Sequence, residues 1–74
     1  MATTSNKTVG QRLREARKEK GLTQQELAEE AEVLITNISH WERDKNEPSL
    51  YNIWKICEVL EVSIDWIAEG CAYR

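Results

Sequence analysis

Between Leu34 and Arg43 the chain reads Leu-Ile-Thr-Asn-Ile-Ser-His-Trp-Glu-Arg. Three side chains there, Thr36, Ser39 and His40, can each give and take a hydrogen bond. At helical spacing they share one side with Arg43, while Ile38 and Trp41, at i and i+3, share the other. A helix anchored by two apolar residues and topped by short polar ones can read a surface by hydrogen bonds. Bond-breaking chemistry finds no comparable support. His40 is the one histidine, and no cysteine, serine or carboxylate constellation is spaced to serve it. Cys57 and Cys71 stand alone, without a CxxC pair, so no zinc or other metal site is expected; they read as a core thiol and a tail thiol in a reducing compartment. No cofactor motif and no small-molecule ligand site is evident.

The elements that must position these residues follow from caps and apolar stripes. Residues 1–7 are polar and read as a frayed tail. Thr8-Val-Gly-Gln11 is a capping box that opens a first helix, with Val9, Leu13 and Ala16 on its apolar stripe and Gly21 as its stop. Thr23-Gln-Gln-Glu26 opens a second helix that buries Leu27, Ala28 and Ala31. A short corner at Glu32-Val33 leads to a third helix from about Leu34 to Arg43, with Val33 plugging the angle. Asp44 to Pro48 form a loop of turn formers, and Ser49 caps a fourth helix. Leu50, Ile53, Trp54, Ile56, Cys57 and Leu60 leave that helix so little polar surface that it reads as the central core helix. Ser63 caps a short fifth helix, with Asp65 near its positive end, Ile64, Trp66 and Ile67 as its apolar residues and Gly70 as its stop. The fold class is all-α, a five-helix bundle over residues 8–70, with a C-terminal tail at 71–74.

Seventy-four residues provide one small core, and 41% hydrophobic content is ordinary for a globular chain. No stretch approaches the ~18 apolar residues of a membrane span, and the N-terminus has no apolar run of the secretory kind, so the expected location is the cytoplasm. The net charge of −3 and pI near 5.1 run against the pI above about 9 usual for a nucleic-acid binder. The distribution softens that objection. Lys7, Arg12, Arg14, Arg17, Lys18 and Lys20 crowd the first twenty residues, whereas Glu47, Glu58, Glu61, Asp65 and Glu69 dominate beyond residue 45. Such polarity presents a basic side to phosphates and an acidic side to solvent.

The blocks Leu22-Thr-Gln-Gln-Glu-Leu-Ala28, Val33, Ile38-Ser-His-Trp-Glu-Arg43, Glu47-Pro-Ser49 and Leu60-Glu-Val-Ser-Ile-Asp-Trp-Ile67 resemble the helix-turn-helix domain of the lambda-type phage repressor and Cro group. The resemblance runs from about Val9 to Gly70, with the helix-turn-helix at 23–43. It implies a regulator of transcription, most readily a phage or bacterial repressor, that binds double-stranded DNA with its third helix in the major groove. Ile35, Thr36, Ser39 and His40 then correspond to base readers, with Ile35 suited only to a thymine methyl. Thr23, Gln24, Asn37, Arg43, Lys45 and Asn46 correspond to the set that grips phosphates. Arg17 and Glu42 stand where the family keeps a buried ion pair, and Arg17 does border the apolar stripe of helix 1; an exposed Arg17 on a phosphate is the alternative.

Three positions depart from the family pattern. Glu32 and Asp44 replace the usual glycines after helices 2 and 3, and Leu34 replaces the Ser or Thr that caps helix 3. Losing that cap costs about 0.5–2 kcal/mol, which Leu34 would recover by packing inward four residues before Ile38. One recognition helix reads few base pairs, so a homodimer on a palindromic operator is expected, with half-sites ~34–36 Å apart. Ile64, Ile67, Ala72 and Tyr73 are its candidate contacts, Ile64 and Ile67 being equally suited to the core. The chain can also be read as the N-terminal domain of a longer repressor whose dimerisation part would lie beyond Arg74. A restriction-modification controller or an antitoxin fits the same residues, and a protein-interaction module without DNA binding is the reading from another class.

Overall fold

The computed structural model describes residues 7–68. Five helices follow one another: α1 (Val9–Lys20), α2 (Gln24–Ala31), α3 (Ile35–Glu42), α4 (Leu50–Leu60) and α5 (Ile64–Ala68). Among the described residues there is no strand. The expected stop at Gly70 lies outside them, as do Cys71, Ala72 and Tyr73.

The helices begin where short hydroxyl side chains satisfy free backbone N–H groups. Thr8 and Thr23 each form a complete capping box, accepting from Gln11 and Glu26 N–H while those side chains accept from the threonine N–H. Ser49 accepts from the Asn52 N–H and Ser63 from the Trp66 N–H. Leu34, at the α3 cap position, accepts nothing through its side chain. It does not turn inward either, being 68% exposed. With φ −77° and ψ 141° Leu34 lies half outside the helix, so its i, i+4 relation to Ile38 is not that of two helical residues.

Four helices end on a left-handed residue or a turn around one, yet only α1 uses glycine, Gly21 at φ 82°. Glu32, Asp44 and Glu61 adopt φ values of 60°, 59° and 61°. After α2, the Glu32 and Val33 N–H groups donate to the Glu29 and Ala28 carbonyls; after α3, those of Asp44 and Lys45 donate to Trp41 and His40. Carbonyls that would face no donor are thereby satisfied, and the left-handed strain is the cost.

Leu13, Leu27, Ile38 and Ile56, one from each of the first four helices, form the dry centre of the core. Val33 packs against that cluster at the α2–α3 corner, as its position predicts. Val9, Cys57 and Ile67 make a second cluster beneath α5. Burial pushes the Cys57 thiol above its ordinary range, as expected of a core thiol. α4 is not the enclosed helix its composition implies. It buries Ile56, Cys57 and Leu60 on one face, while Leu50, Tyr51 and Trp54 are 72%, 64% and 47% exposed. Tyr51 and Trp54, at i and i+3, lie on the side away from Ile56 and Leu60, while Leu50 shares the side of Cys57 at i and i+7 but is exposed in the first turn, so the apolar residues of α4 extend beyond what the bundle covers.

Candidate nucleic-acid interface

Ile38 and Trp41 are buried and fasten α3 to the core cluster, which fixes the outward direction of its other side. On that side Thr36 is exposed and Ser39 and His40 are half-buried, with Ile35 exposed at its edge; Asn37, four residues before Trp41, is half-buried toward the other side. The tie between α3 and the following loop is made by backbone: Ser39 and His40 carbonyls accept from the Arg43 and Lys45 N–H groups. Among the described residues, no side-chain hydrogen bond engages the hydroxyls of Thr36 and Ser39 or the ring nitrogens of His40.

α3 is held against α1 and α2 by one carboxylate. Arg17 Nε donates to Glu42 Oε2 at 2.6 Å and Nη2 to Oε1 at 3.0 Å, a bidentate pair with both residues buried. Arg17 Nη1 donates to the Leu22 carbonyl at 2.9 Å, which ties in the α1–α2 turn. Gln24 Nε2 donates to Glu42 Oε1 at 3.0 Å. Arg17 is therefore the buried partner and not an exposed phosphate ligand. Gln24 is anchored to Glu42 through one amide hydrogen, which leaves its second amide hydrogen for another acceptor.

A second clamp joins the start of α1 to the end of α3. Asp44 accepts from Thr8 Oγ1 at 2.7 Å and from the Gly10 N–H at 3.2 Å. A Cβ on Gly10 would collide with the Trp41 carbonyl oxygen and the Asp44 carboxylate, so glycine is what lets the two helices meet here. Neither Gly10 nor Asp44 stood out as a pair in the sequence. The one available signal was a glycine inside the first turn of a helix, where it lowers helix propensity.

The broad basic side expected from the first twenty residues is largely spent internally. Arg12 and Arg17 are buried, Arg12 with its guanidinium 5.1 Å from the Trp66 ring centroid. Lys7 pairs with Glu15 and Lys20 with Glu61, each at 2.7 Å. Charges near one another in sequence pointed around the whole of α1, and half of that circumference faces the bundle. Arg14 and Lys18 remain exposed. Arg14 lines an open cleft of about 340 Å³ together with Gln24, Ser39, Glu42 and Arg43, which places a guanidinium from α1 beside the outward side of α3. Lys45 and Asn46 are exposed in the loop after α3, and Thr23 is exposed with its oxygen engaged as a cap.

The helix-turn-helix family model matches residues 13–67. The chain belongs to that helix-turn-helix family. The regulator DicA of Escherichia coli (strain K12) is 37% identical over 67 residues, covering 90% of this chain and 50% of DicA. A crystal structure of SinR, a master regulator for biofilm formation, in complex with DNA superposes with a TM-score of 0.79 at 39% identity, over 81% of this chain and 97% of that one. The P22 c2 repressor on a synthetic operator gives a TM-score of 0.81 at 31% identity, over 88% and 98%. The five-helix fold is thus that of repressor-type DNA-binding domains. The chain spans about half the length of the curated relatives it matches.

Within this helix-turn-helix domain, α2 and α3 meet at the Glu32-Val33 corner. The acidic residues Glu26, Glu29 and Glu30 of α2 are exposed. Of the four dimer candidates, Ile67 is 2% exposed and belongs to its own core, so it has no surface to offer a partner. Ile64 is half-buried and lines an open groove with Trp54, Val62, Glu58 and Glu61. No helix among the described residues is long and apolar enough to cross a membrane.

Proposed function

We propose that the chain is the DNA-reading part of a cytoplasmic transcription regulator, a repressor of phage or bacterial type, that binds double-stranded DNA with α3 in the major groove. The observation that carries this reading is the pedestal under α3: Ile38 and Trp41 buried, Thr36, Ser39 and His40 outward and unspent. Related structures solved with DNA and with an operator support it. In this reading Ile35, Thr36, Ser39 and His40 meet base edges, and Thr23, Gln24, Asn37, Arg43, Lys45 and Asn46 grip phosphates, joined by Arg14. The work is binding and not catalysis. Two copies act together on a palindrome, meeting through the Ile64 side of the α4–α5 groove.

Selection of bound sequences from a random duplex pool tests the reading. It returns a palindromic motif with half-sites about one helical turn apart. Three side-chain cations per copy, Arg14, Arg43 and Lys45, give a pair a log–log salt slope of about −5, or roughly a thousandfold loss of affinity between 50 and 200 mM salt. An interaction module without DNA chemistry enriches no sequence and has no such slope.

A further inference from the structure

We infer that the outward face of α4 binds the same face of a second copy, antiparallel, and that this weak contact couples copies held side by side on one DNA. The contact itself stands without DNA; only its use there rests on the reading above. α4 carries two packing seams of one pattern. Ile53, Ile56, Cys57 and Leu60, at i, i+3, i+4 and i+7, pack into the bundle. Tyr51, Trp54, Lys55 and Glu58 repeat that spacing on the opposite side, where Tyr51, Trp54 and Glu58 are exposed and Lys55 is half-buried. This second seam is ordered in the free domain. The Tyr51 and Trp54 rings stack with centroids 6.2 Å apart and 26° between their planes. The Lys55 ammonium lies 4.9 Å from the Tyr51 ring centroid and donates to the Glu32 carbonyl at 3.4 Å. Aromatic anchors held in place beforehand lose little freedom on binding.

Charge names the occupant. The seam holds one cation, Lys55, and one acid, Glu58, so it is neutral in a chain whose net charge of −3 otherwise opposes self-association. A twofold axis crossing the helix between residues 54 and 55 sets Tyr51 opposite the partner's Glu58 and Trp54 opposite the partner's Lys55. Each pair then occurs twice, a phenol donating to a carboxylate and a cation against an indole. A seam of one sign would fit a partner of the other sign; this one fits itself. Trp54 and Glu58 also border the Ile64 groove, whereas Tyr51 and Lys55 do not, so the two faces adjoin without coinciding. α4 has 11 residues and is about 16 Å long, too little surface for a stable free dimer, which takes ~1,200 Å² or more. The contact therefore counts where copies are already close, and neighbours on a duplex reach an effective concentration of about 1 mM.

Sedimentation equilibrium of the full chain without DNA tests the contact. The wild type self-associates with a Kd of about 0.1–1 mM, and Tyr51→Ala and Trp54→Ala each weaken it about tenfold or more. Lys55→Glu, which leaves the seam acidic, and Glu58→Lys, which leaves it basic, each abolish association, and an equimolar mixture of the two regains it as a mixed pair. Tyr51 and Glu58 are exposed, so Tyr51→Ala and Glu58→Lys unfold at the wild-type temperature and loss of association is not loss of fold. On a duplex carrying two adjacent selected operators, occupancy of one tightens binding at the other about two- to tenfold for the wild type and not for Tyr51→Ala, which still binds a single operator as the wild type does. A wild type that stays monomeric at about 1 mM overturns the inference and leaves the face to a different protein. Association that survives Tyr51→Ala and Lys55→Glu belongs to another face and overturns it too, as does a mixture of the two charge variants that stays monomeric. Self-association by a chain that selects no sequence from a random pool upholds the contact and defeats only the DNA reading.

Discussion

Replacing Glu42 by Gln removes the charge that three donors share. Arg17 Nε and Nη2 lose a carboxylate at 2.6 and 3.0 Å, and the single amide oxygen of glutamine is left to serve them and Gln24 Nε2, which donates at 3.0 Å in the wild type. The Leu22 carbonyl, at 2.9 Å, still accepts from Arg17. One charge-assisted bond lost, at about 1.5–3 kcal/mol, and a second cut to about half by losing the charge imply a loss of roughly 2.5–4.5 kcal/mol. That overlaps the ~3–5 kcal/mol typical of stranding one partner of a buried pair. A domain of this size has about 4–11 kcal/mol in total, so E42Q lowers Tm by about 10 °C or more. Alongside E42Q, urea and thermal unfolding of E42L, R17M and the double variant R17M/E42L close a thermodynamic cycle. The double variant, with no charge left to strand, stays within about 2 kcal/mol of the wild type. A loss below 1 kcal/mol in E42Q, or a double variant as damaged as the sum of its singles, would show that the pair is not what locks α3 to α1.

Other consequences are as direct. Gly10→Ala should raise helix propensity by about 1 kcal/mol, yet the collision with Trp41 and Asp44 makes it destabilising by roughly 1–3 kcal/mol in denaturant titration. Glu32→Gly should stabilise by about 0.5–1 kcal/mol, because relief of about 1–2 kcal/mol of left-handed strain exceeds the extra chain entropy of glycine; the unfolding midpoint reads it. The Lys20 ammonium, hydrogen-bonded to Glu61 at 2.7 Å, holds that carboxyl below its ordinary 4.5. A depressed folded pKa contributes stability above the unfolded value and loses it as pH falls through the folded one, so Lys20→Met costs stability near neutral pH and the difference vanishes in acid. Carboxyl-carbon NMR titration should show Glu61 returning toward 4.5 in that variant.

What the sequence makes legible here is what local chemistry decides. Thr8, Thr23, Ser49 and Ser63 begin helices because a hydroxyl two or three residues upstream of a free N–H is a local solution, and all four are where spacing placed them. The outward set Thr36, Ser39 and His40 follows from the opposite burial of Ile38 and Trp41. Arg17 and Glu42, twenty-five positions apart, were placed as a pair by resemblance, with the apolar surroundings of each agreeing. Leu34 aside, whose N-cap backbone is a local matter, the misses are tertiary. Which side of α4 is covered depends on where α2 and α5 lie, so Leu50 and Trp54 counted as core on apolarity alone. The Asp44 clamp joins residues thirty-four and thirty-six positions apart, and nothing in Asp-Lys-Asn distinguishes a clamp from a turn.

The acidic pI, the strongest compositional objection to DNA binding, weakens once charges are assigned to partners. Phosphates respond to the charges near them within about a Debye length, ~8 Å at physiological salt, and not to the sum over the chain. Arg17 is neutralised by Glu42, Lys7 by Glu15 and Lys20 by Glu61, so these cations and these acids cancel locally. Arg14 and Arg43 line the cleft beside Ser39, and Lys45 follows in the exposed loop. The one carboxylate in that cleft, Glu42, already receives Arg17 and Gln24. Among the described residues little unpaired cationic surface is left beyond this edge, so on the proposed reading the domain would hold DNA through few phosphates and draw its affinity from base contacts and from pairing with a second copy.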